Sequence, residues 1–332
     1  MSSKRWTALI IAIALFILSI GVQLTGNRNS TDQTGNPLLF QDATFKERSI
    51  KKGIGNKKIV VLNLEGVIQD IGSVPFMNTI AYDHKRFLKM IEQAADDPTV
   101  SGVILKVNSP GGGVVESAEI HDKLAELQHT FNKPLYVSMG NTAASGGYYV
   151  SAPAEKIFAH PATLTGSIGV IMENVDISEL ADTYGIDFNT IKSGEFKDIM
   201  SPTRPMTDEE HDILQSMIDD LYDDFVDVIV EGRDMPEDKV RDLGDGRIYT
   251  GKQAQEHGLV DELGTLDDTI EVMKDEHNLK GARVVEYEPA ISIGQLIGFT
   301  AKNVLSADNE FHNLLTLVKE SSGPRLLYLY SR

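Results

Sequence analysis

The sequence predicts an α/β fold built on a mostly parallel sheet. Short β-branched or apolar runs alternate with segments of helical spacing, and glycine-rich turns stand directly behind two of those runs. Residues 59–64 (Ile-Val-Val-Leu-Asn-Leu) read as a buried strand. Over 83–95, Phe87, Leu88, Ile91, Ala94 and Ala95 share one helix face, and Asp96-Asp97-Pro98 stops the helix. A strand over 103–107, a helix over 114–127 and a strand over 135–138 follow, then a short helix and a strand over 157–159. Thr207 and Glu210 have capping-box spacing. They open a long helix whose apolar face is Ile213, Leu214, Met217, Ile218, Leu221, Phe225 and Ile229. No internal repeat stands out, and the chain from Ile291 onward carries apolar clusters with helical potential.

The 332 residues carry a net charge of −18 and no cysteine. Without cysteine there is no disulfide framework, no thiolate metal site and no thiol nucleophile. Such an acidic chain does not suit general nucleic-acid binding, because nothing offsets phosphate repulsion. The charge is unevenly spread: the first 60 residues are net basic, whereas Asp208–Asp245 is dense in carboxylates and reads as a solvated helix face.

Lys4 and Arg5 precede an uncharged stretch from Trp6 to Asn27. As a helix it can cross a hydrocarbon core of ~30 Å, and the leading cations favour placing the rest of the chain outside the cytoplasm. The expectation is a retained single-pass anchor in the cell membrane; the rival is a cleaved signal peptide. Residues 27–42 read as a flexible tether. Lys46, Arg48, Lys51, Lys52, Lys57 and Lys58 read as a solvated basic segment or one facing lipid headgroups. The expected organisation is an anchor over 1–27, a flexible basic linker over 28–58, a single catalytic domain over 59–288 and a tail over 289–332. That tail either packs on the body or enters the substrate groove and is trimmed.

Three loops carry chemistry. Ser109-Pro110-Gly111-Gly112-Gly113 lies between a strand and a helix, where glycine lets backbone N–H groups approach an anion. Ala143-Ala144-Ser145-Gly146-Gly147-Tyr148-Tyr149 exposes a serine hydroxyl among small neighbours. Ile191-Lys192-Ser193-Gly194-Glu195-Phe196-Lys197-Asp198 offers lysines, which act as bases only when burial disfavours the ammonium form. Each loop alone also reads as a plain turn, a helix cap or a solvated segment.

Taken in order with Thr165-Gly166-Ser167-Ile168-Gly169-Val170, and with the later segment from Gly251 to Gly264, these loops closely resemble the signal peptide peptidase SppA family of serine peptidases. The length matches its short, single-repeat form. The resemblance implies a ClpP/crotonase-like fold with repeated β-β-α units. It implies Ser145 as nucleophile, Lys197 as general base, Ser167 orienting Lys197, and the Gly112 and Gly146 N–H groups as the oxyanion hole. It also implies extended apolar peptides, remnant signal peptides among them, as substrates, and a homo-oligomer whose protomers share active sites.

Two alternatives remain at this level. His160, behind the strand over 157–159, could serve a Ser-His mechanism as in the Clp peptidases. A crotonase-like acyl-thioester enzyme would instead need acidic catalytic residues and no serine. The other seven histidines lack metal-ligand spacing, so no metal and no cofactor are expected.

Overall fold

The computed structural model describes residues 45–70, 82–288 and 327–330. The first part of the chain forms β1 (Lys46–Lys51), β2 (Lys58–Glu65), α1 (His84–Asp96), β3 (Val100–Ser109), β4 (Gly111–Gly113), α2 (Val114–His129) and β5 (Leu135–Ala144). The middle contains α3 (Gly146–Tyr149), β6 (Lys156–Ala159), β7 (Leu164–Gly166), α4 (Ser178–Thr183) and a 3₁₀ turn at Glu195–Asp198. Then come α5 (Asp208–Arg233), α6 (Glu237–Leu243), β8 (Ile248–Thr250), α7 (Gly251–His257), β9 (Glu262–Leu263), α8 (Leu266–Glu276), β10 (Arg283–Glu288) and β11 (Leu327–Leu329).

Nine strands share one sheet in the order β1-β10-β2-β3-β5-β6-β9, with β7 beside β5 and β8 beside β7. Only β1/β10 and β7/β8 run antiparallel. The predicted α/β class and mostly parallel sheet are therefore present. Central strands read as nearly continuous apolar runs because helices cover both faces. Val60, Leu62, Leu64, Val103, Leu105 and Val107 pack into one core with α1 and α2, whereas Ile59, Val61, Ile104 and Tyr136 pack into a second with α8.

Strands β3 and β5 continue past their apolar runs to Ser109 and Ala144. Pairing holds them there: Ser109 lies opposite Ala143, and Thr142–Ala144 pair with β7. Helix α5 has its predicted capping box, but its apolar stripe is only partly used. Phe225 and Ile229 are buried, whereas Ile213 and Met217 stay exposed.

The basic segment assigned to the flexible linker is structured over part of its length. Residues 46–51 form an edge strand on β10, and two of its cations pair with carboxylates. Lys51 pairs with Asp267 and Glu271, at 3.0 Å each, and Arg48 pairs with Glu286 and Glu288. Lys58 is buried, bonded to Glu47 and to Asp97 at 2.6 Å. Among the described residues no helix is long and apolar enough to cross a membrane; the stretch expected as an anchor lies outside them.

Burial alone would raise the Asp97 carboxyl, but hydrogen bonds from Lys58 and Thr99 outweigh it and hold the group at about 2. A lowered folded value gives stabilisation that is complete above the unfolded value near pH 4 and lost as pH falls toward about 2. Denaturant midpoints measured from pH 5 to pH 2 should fall more steeply for the wild-type chain than for Asp97→Asn. Parallel curves would contradict this.

Candidate active site

The two glycine-rich loops singled out from the sequence meet at the carboxyl ends of β3 and β5. Strand β4 begins at Gly111, whose φ of +98° suits glycine. Ile68 donates to the Gly111 carbonyl at 2.9 Å and accepts from the Gly113 N–H at 2.8 Å. Along an extended strand the bonding groups alternate in direction, so the Gly112 N–H and C=O face the opposite edge. Residues 327–329 occupy that edge, antiparallel, with Tyr328 opposite Gly112.

Ser145 sits at the amino end of α3 with φ 54° and ψ −119°, a strained conformation for a residue with a side chain. Its N–H donates to the Gly166 carbonyl at 2.8 Å, and its carbonyl accepts from Tyr148 and Tyr149. The residue is 1% exposed, and its hydroxyl makes no hydrogen bond to any described residue. Gly146 follows. A Cβ there would stand 2.6 Å from Ser117 Oγ and 3.2 Å from the Gly112 nitrogen. The Gly112 and Gly146 backbones can approach this closely only because neither carries a side chain.

Ser167 has φ +49° and lies just behind β7, with its N–H bonded to the Arg247 carbonyl at 2.8 Å. Ser145, Gly112, Gly146 and Ser167 thus lie on neighbouring loops at one end of the sheet. Lys197 stands apart, exposed on its 3₁₀ turn, and makes no hydrogen bond to Ser145 or Ser167. His160 is exposed behind β6, and its Nδ1 accepts from the Ala162 N–H at 3.1 Å. No bond links it to Ser145. Among the described residues no group of three His, Asp or Glu converges as a metal site would require.

Two residues here were not read from the sequence, and a third participant, a segment, was anticipated only as a tail that packs on the body or enters the groove. Ile68 lies beyond the first apolar run. Ser117 is fully buried with an unpartnered hydroxyl beside Gly146; its signal was a serine inside the apolar stripe of Val114, Ile120, Leu124 and Leu127. The third is the segment 327–330. Tyr328 is buried, its ring 5.0 Å from Tyr149 and 4.7 Å from Phe225, and its hydroxyl donates to the Leu221 carbonyl at 2.9 Å. Leu327 exchanges hydrogen bonds with Ile171, and the Tyr330 N–H donates to the Pro110 carbonyl at 2.8 Å.

Residues 327–329 are themselves an extended segment held on that edge by main-chain pairing. The chain is a serine peptidase. Its residues 128–280 match the family described as Peptidase family S49. A relative in Enterococcus faecium, named for signal peptide peptidase SppA, is 42% identical over 294 residues, covering 87% of this chain and 85% of that protein. A relative named as a protease in Methanocaldococcus jannaschii is 37% identical over 254 residues, covering 70% of this chain and 81% of its own. The chloroplastic serine protease SPPA of Arabidopsis thaliana is 29% identical over 277 residues, covering 81% of this chain and 40% of its own. This chain belongs to the signal peptide peptidase SppA family.

Strain at Ser145 has a measurable consequence. A non-glycine residue held at such φ and ψ stores about 1–3 kcal/mol. Ser145→Gly should therefore be more stable than Ser145→Ala by about 1 kcal/mol in denaturant unfolding. Equal stabilities would mean that the backbone relaxes elsewhere.

Proposed function

We propose that this protein is a membrane-anchored serine endopeptidase that cleaves remnant signal peptides and other small apolar peptides through a Ser/Lys dyad. The observation that carries the reading is β11. It enters the groove antiparallel to β4, and a Cβ on Gly111 would collide with the Tyr328 carbonyl oxygen while standing 2.6 Å from the Gly146 nitrogen. The Tyr328 carbonyl therefore lies beside the N–H groups proposed to hold the oxyanion.

In the proposed mechanism neutral Lys197 takes the Ser145 proton as Oγ attacks the scissile carbonyl. The Gly112 and Gly146 N–H groups bind the resulting oxyanion. Collapse breaks the C–N bond, and the lysine ammonium gives its proton to the departing amine. Water, activated by the same lysine, then releases the acyl group and returns Ser145. Ser167 orients the amine. The fold type proposed is that of ClpP and crotonase, with its repeated β-β-α units.

A lysine base needs cover, and Lys197 has little in the single chain. The surrounding arm exposes Val175, Leu180, Tyr184, Ile186, Phe188 and Ile191, the last at 96%, and Ile213 and Met217 of α5 are exposed as well. Apolar surface on this scale marks an interaction site. A second copy would bury it, desolvate Lys197 and bring the lysine of one protomer to Ser145 of another. Residues 6–27 would anchor the assembly in the cell membrane with the catalytic domain on the extracytoplasmic side.

Ser145→Ala and Lys197→Ala should each lower kcat/KM on a short apolar peptide by about 10³-fold or more with unchanged circular dichroism. His160→Ala should stay within about threefold of wild type. Full activity in Lys197→Ala would remove the dyad, and loss in His160→Ala would promote the histidine mechanism. Since Tyr328 lies at the site, intact mass spectrometry should show loss of residues after 328 in active protein and their retention in Ser145→Ala. Identical masses would exclude self-trimming.

A further inference from the structure

The segment from Lys192 to Asp198 carries more charge than the proposed mechanism uses. Lys192 Nζ donates to Asp198 Oδ1 at 2.6 Å and to the Glu195 carbonyl at 2.7 Å. Arg204 closes on the same carboxylate from the other side, Nε to Oδ2 at 3.0 Å and Nη2 to Oδ1 at 2.7 Å, with Nη2 also 3.1 Å from the Asp198 carbonyl. Its Nη1 reaches Glu210 Oε2 at 2.8 Å. Glu210 in turn accepts the Thr207 N–H at 3.0 Å while its own N–H donates to Thr207 Oγ1 at 3.2 Å. Charge-assisted bonds therefore run unbroken from the turn that carries Lys197 to the capping box of a helix 26 residues long.

The turn needs this support. It is a single 3₁₀ turn of four residues, none of them buried. Short 3₁₀ segments bond weakly, yet a working base must be held within about 0.5 Å of its productive place. Arg204 also settles the local charge. Hydrogen bonds from Arg204 and Lys192 hold the Asp198 carboxyl well below the usual carboxylate range, and those from Arg204 and Thr207 keep Glu210 at about 2. Both acids stay ionised, and Lys192 and Arg204 pair with them at the end of the turn that carries Lys197.

We propose that Arg204 is a positioning residue for Lys197: its fork locks the lysine-bearing turn onto the start of α5 and cancels the Asp198 charge next to the base. This rests on the reading of Lys197 as general base. Arginine is required because only a planar fork serves Asp198 in bidentate fashion and Glu210 at once; a lysine ammonium is a point charge.

The test compares Arg204→Ala, Arg204→Lys, Asp198→Asn and Lys197→Ala in the full chain, with an apolar fluorogenic peptide. The charged groups bonded about this turn are Lys192, Asp198, Arg204 and Glu210, with Glu195 on the turn itself. Arg204→Ala should lower kcat by about 100-fold with KM within about threefold, as a displaced base does. It leaves Asp198 less compensated, so the ascending limb of the kcat/KM profile should move to higher pH. Asp198→Asn removes that charge and should move the limb to lower pH. Arg204→Lys should recover only part of kcat. Opposite limb shifts are a signature that a merely structural role would not produce. Unchanged kcat and profile in Arg204→Ala, or limbs moving in the same direction in the two variants, would overturn the proposal. Should Arg204→Ala fail to fold, the limb of Asp198→Asn decides alone: a downward shift supports the proposal and an unmoved limb overturns it. Activity retained in Lys197→Ala would instead refute the underlying base assignment, a result distinct from a silent Arg204.

Discussion

The backbone of Gly111–Gly113 is paired on both edges, and the geometry of the groove follows from that pairing. Ile68 takes the Gly111 carbonyl and the Gly113 N–H, which leaves Gly112 to pair with Tyr328 on the other edge. Side chains would obstruct every part of this. One on Gly111 would strike the Tyr328 carbonyl, and one on Gly146 would crowd Ser117 and the Gly112 nitrogen. Ser145 is then fixed from two directions, by the bond from its N–H to Gly166 on β7 and by the first turn of α3 on its carbonyl. Strain of about 1–3 kcal/mol in its backbone is tolerated because neighbours over-determine the position.

The sheet explains why these loops converge. Parallel strands send all their carboxyl ends to one edge, and ligands of open α/β folds bind there. Strands β3 and β5 both end at that edge in glycine-rich turns, so Gly112 and Gly146 come from loops more than thirty residues apart in sequence yet lie so close that a Cβ on Gly146 would stand 3.2 Å from the Gly112 nitrogen. Fixed main-chain donors of this kind need no reorganisation when charge develops on a bound carbonyl, which is the physical basis of the proposed oxyanion hole. The lysine arm is built differently. It has little core of its own, exposes apolar side chains and relies on ion pairs to hold its shape.

Much of this was legible in the sequence. Apolar runs located β2, β3, β5 and β6, helical spacing located α1 and α2, and the capping box fixed the start of α5. The glycine loops, each readable alone as a plain turn or cap, pointed to the site only when taken together in order. What escaped notice depended on partners distant in sequence. Lys46–Lys51 looked like a solvated basic stretch because its strand character comes from β10, more than two hundred residues away, and its charges from Glu286, Glu288, Asp267 and Glu271. Leu327–Leu329 is too short to show a period, and only its pairing with β4 makes it a strand. Ser117 and Arg204 belong to no motif, and their roles arise from what they touch.

The central claim is that Ser145 is the group that attacks a peptide held on β4. A serine-directed electrophile applied to the intact protein, followed by peptide mapping, tests this most directly. The account predicts one adduct, on Ser145, formed in the wild-type chain and absent in Lys197→Ala, where no base is left to activate the hydroxyl. An adduct on another residue, or equal labelling of Ser145 without Lys197, would contradict it.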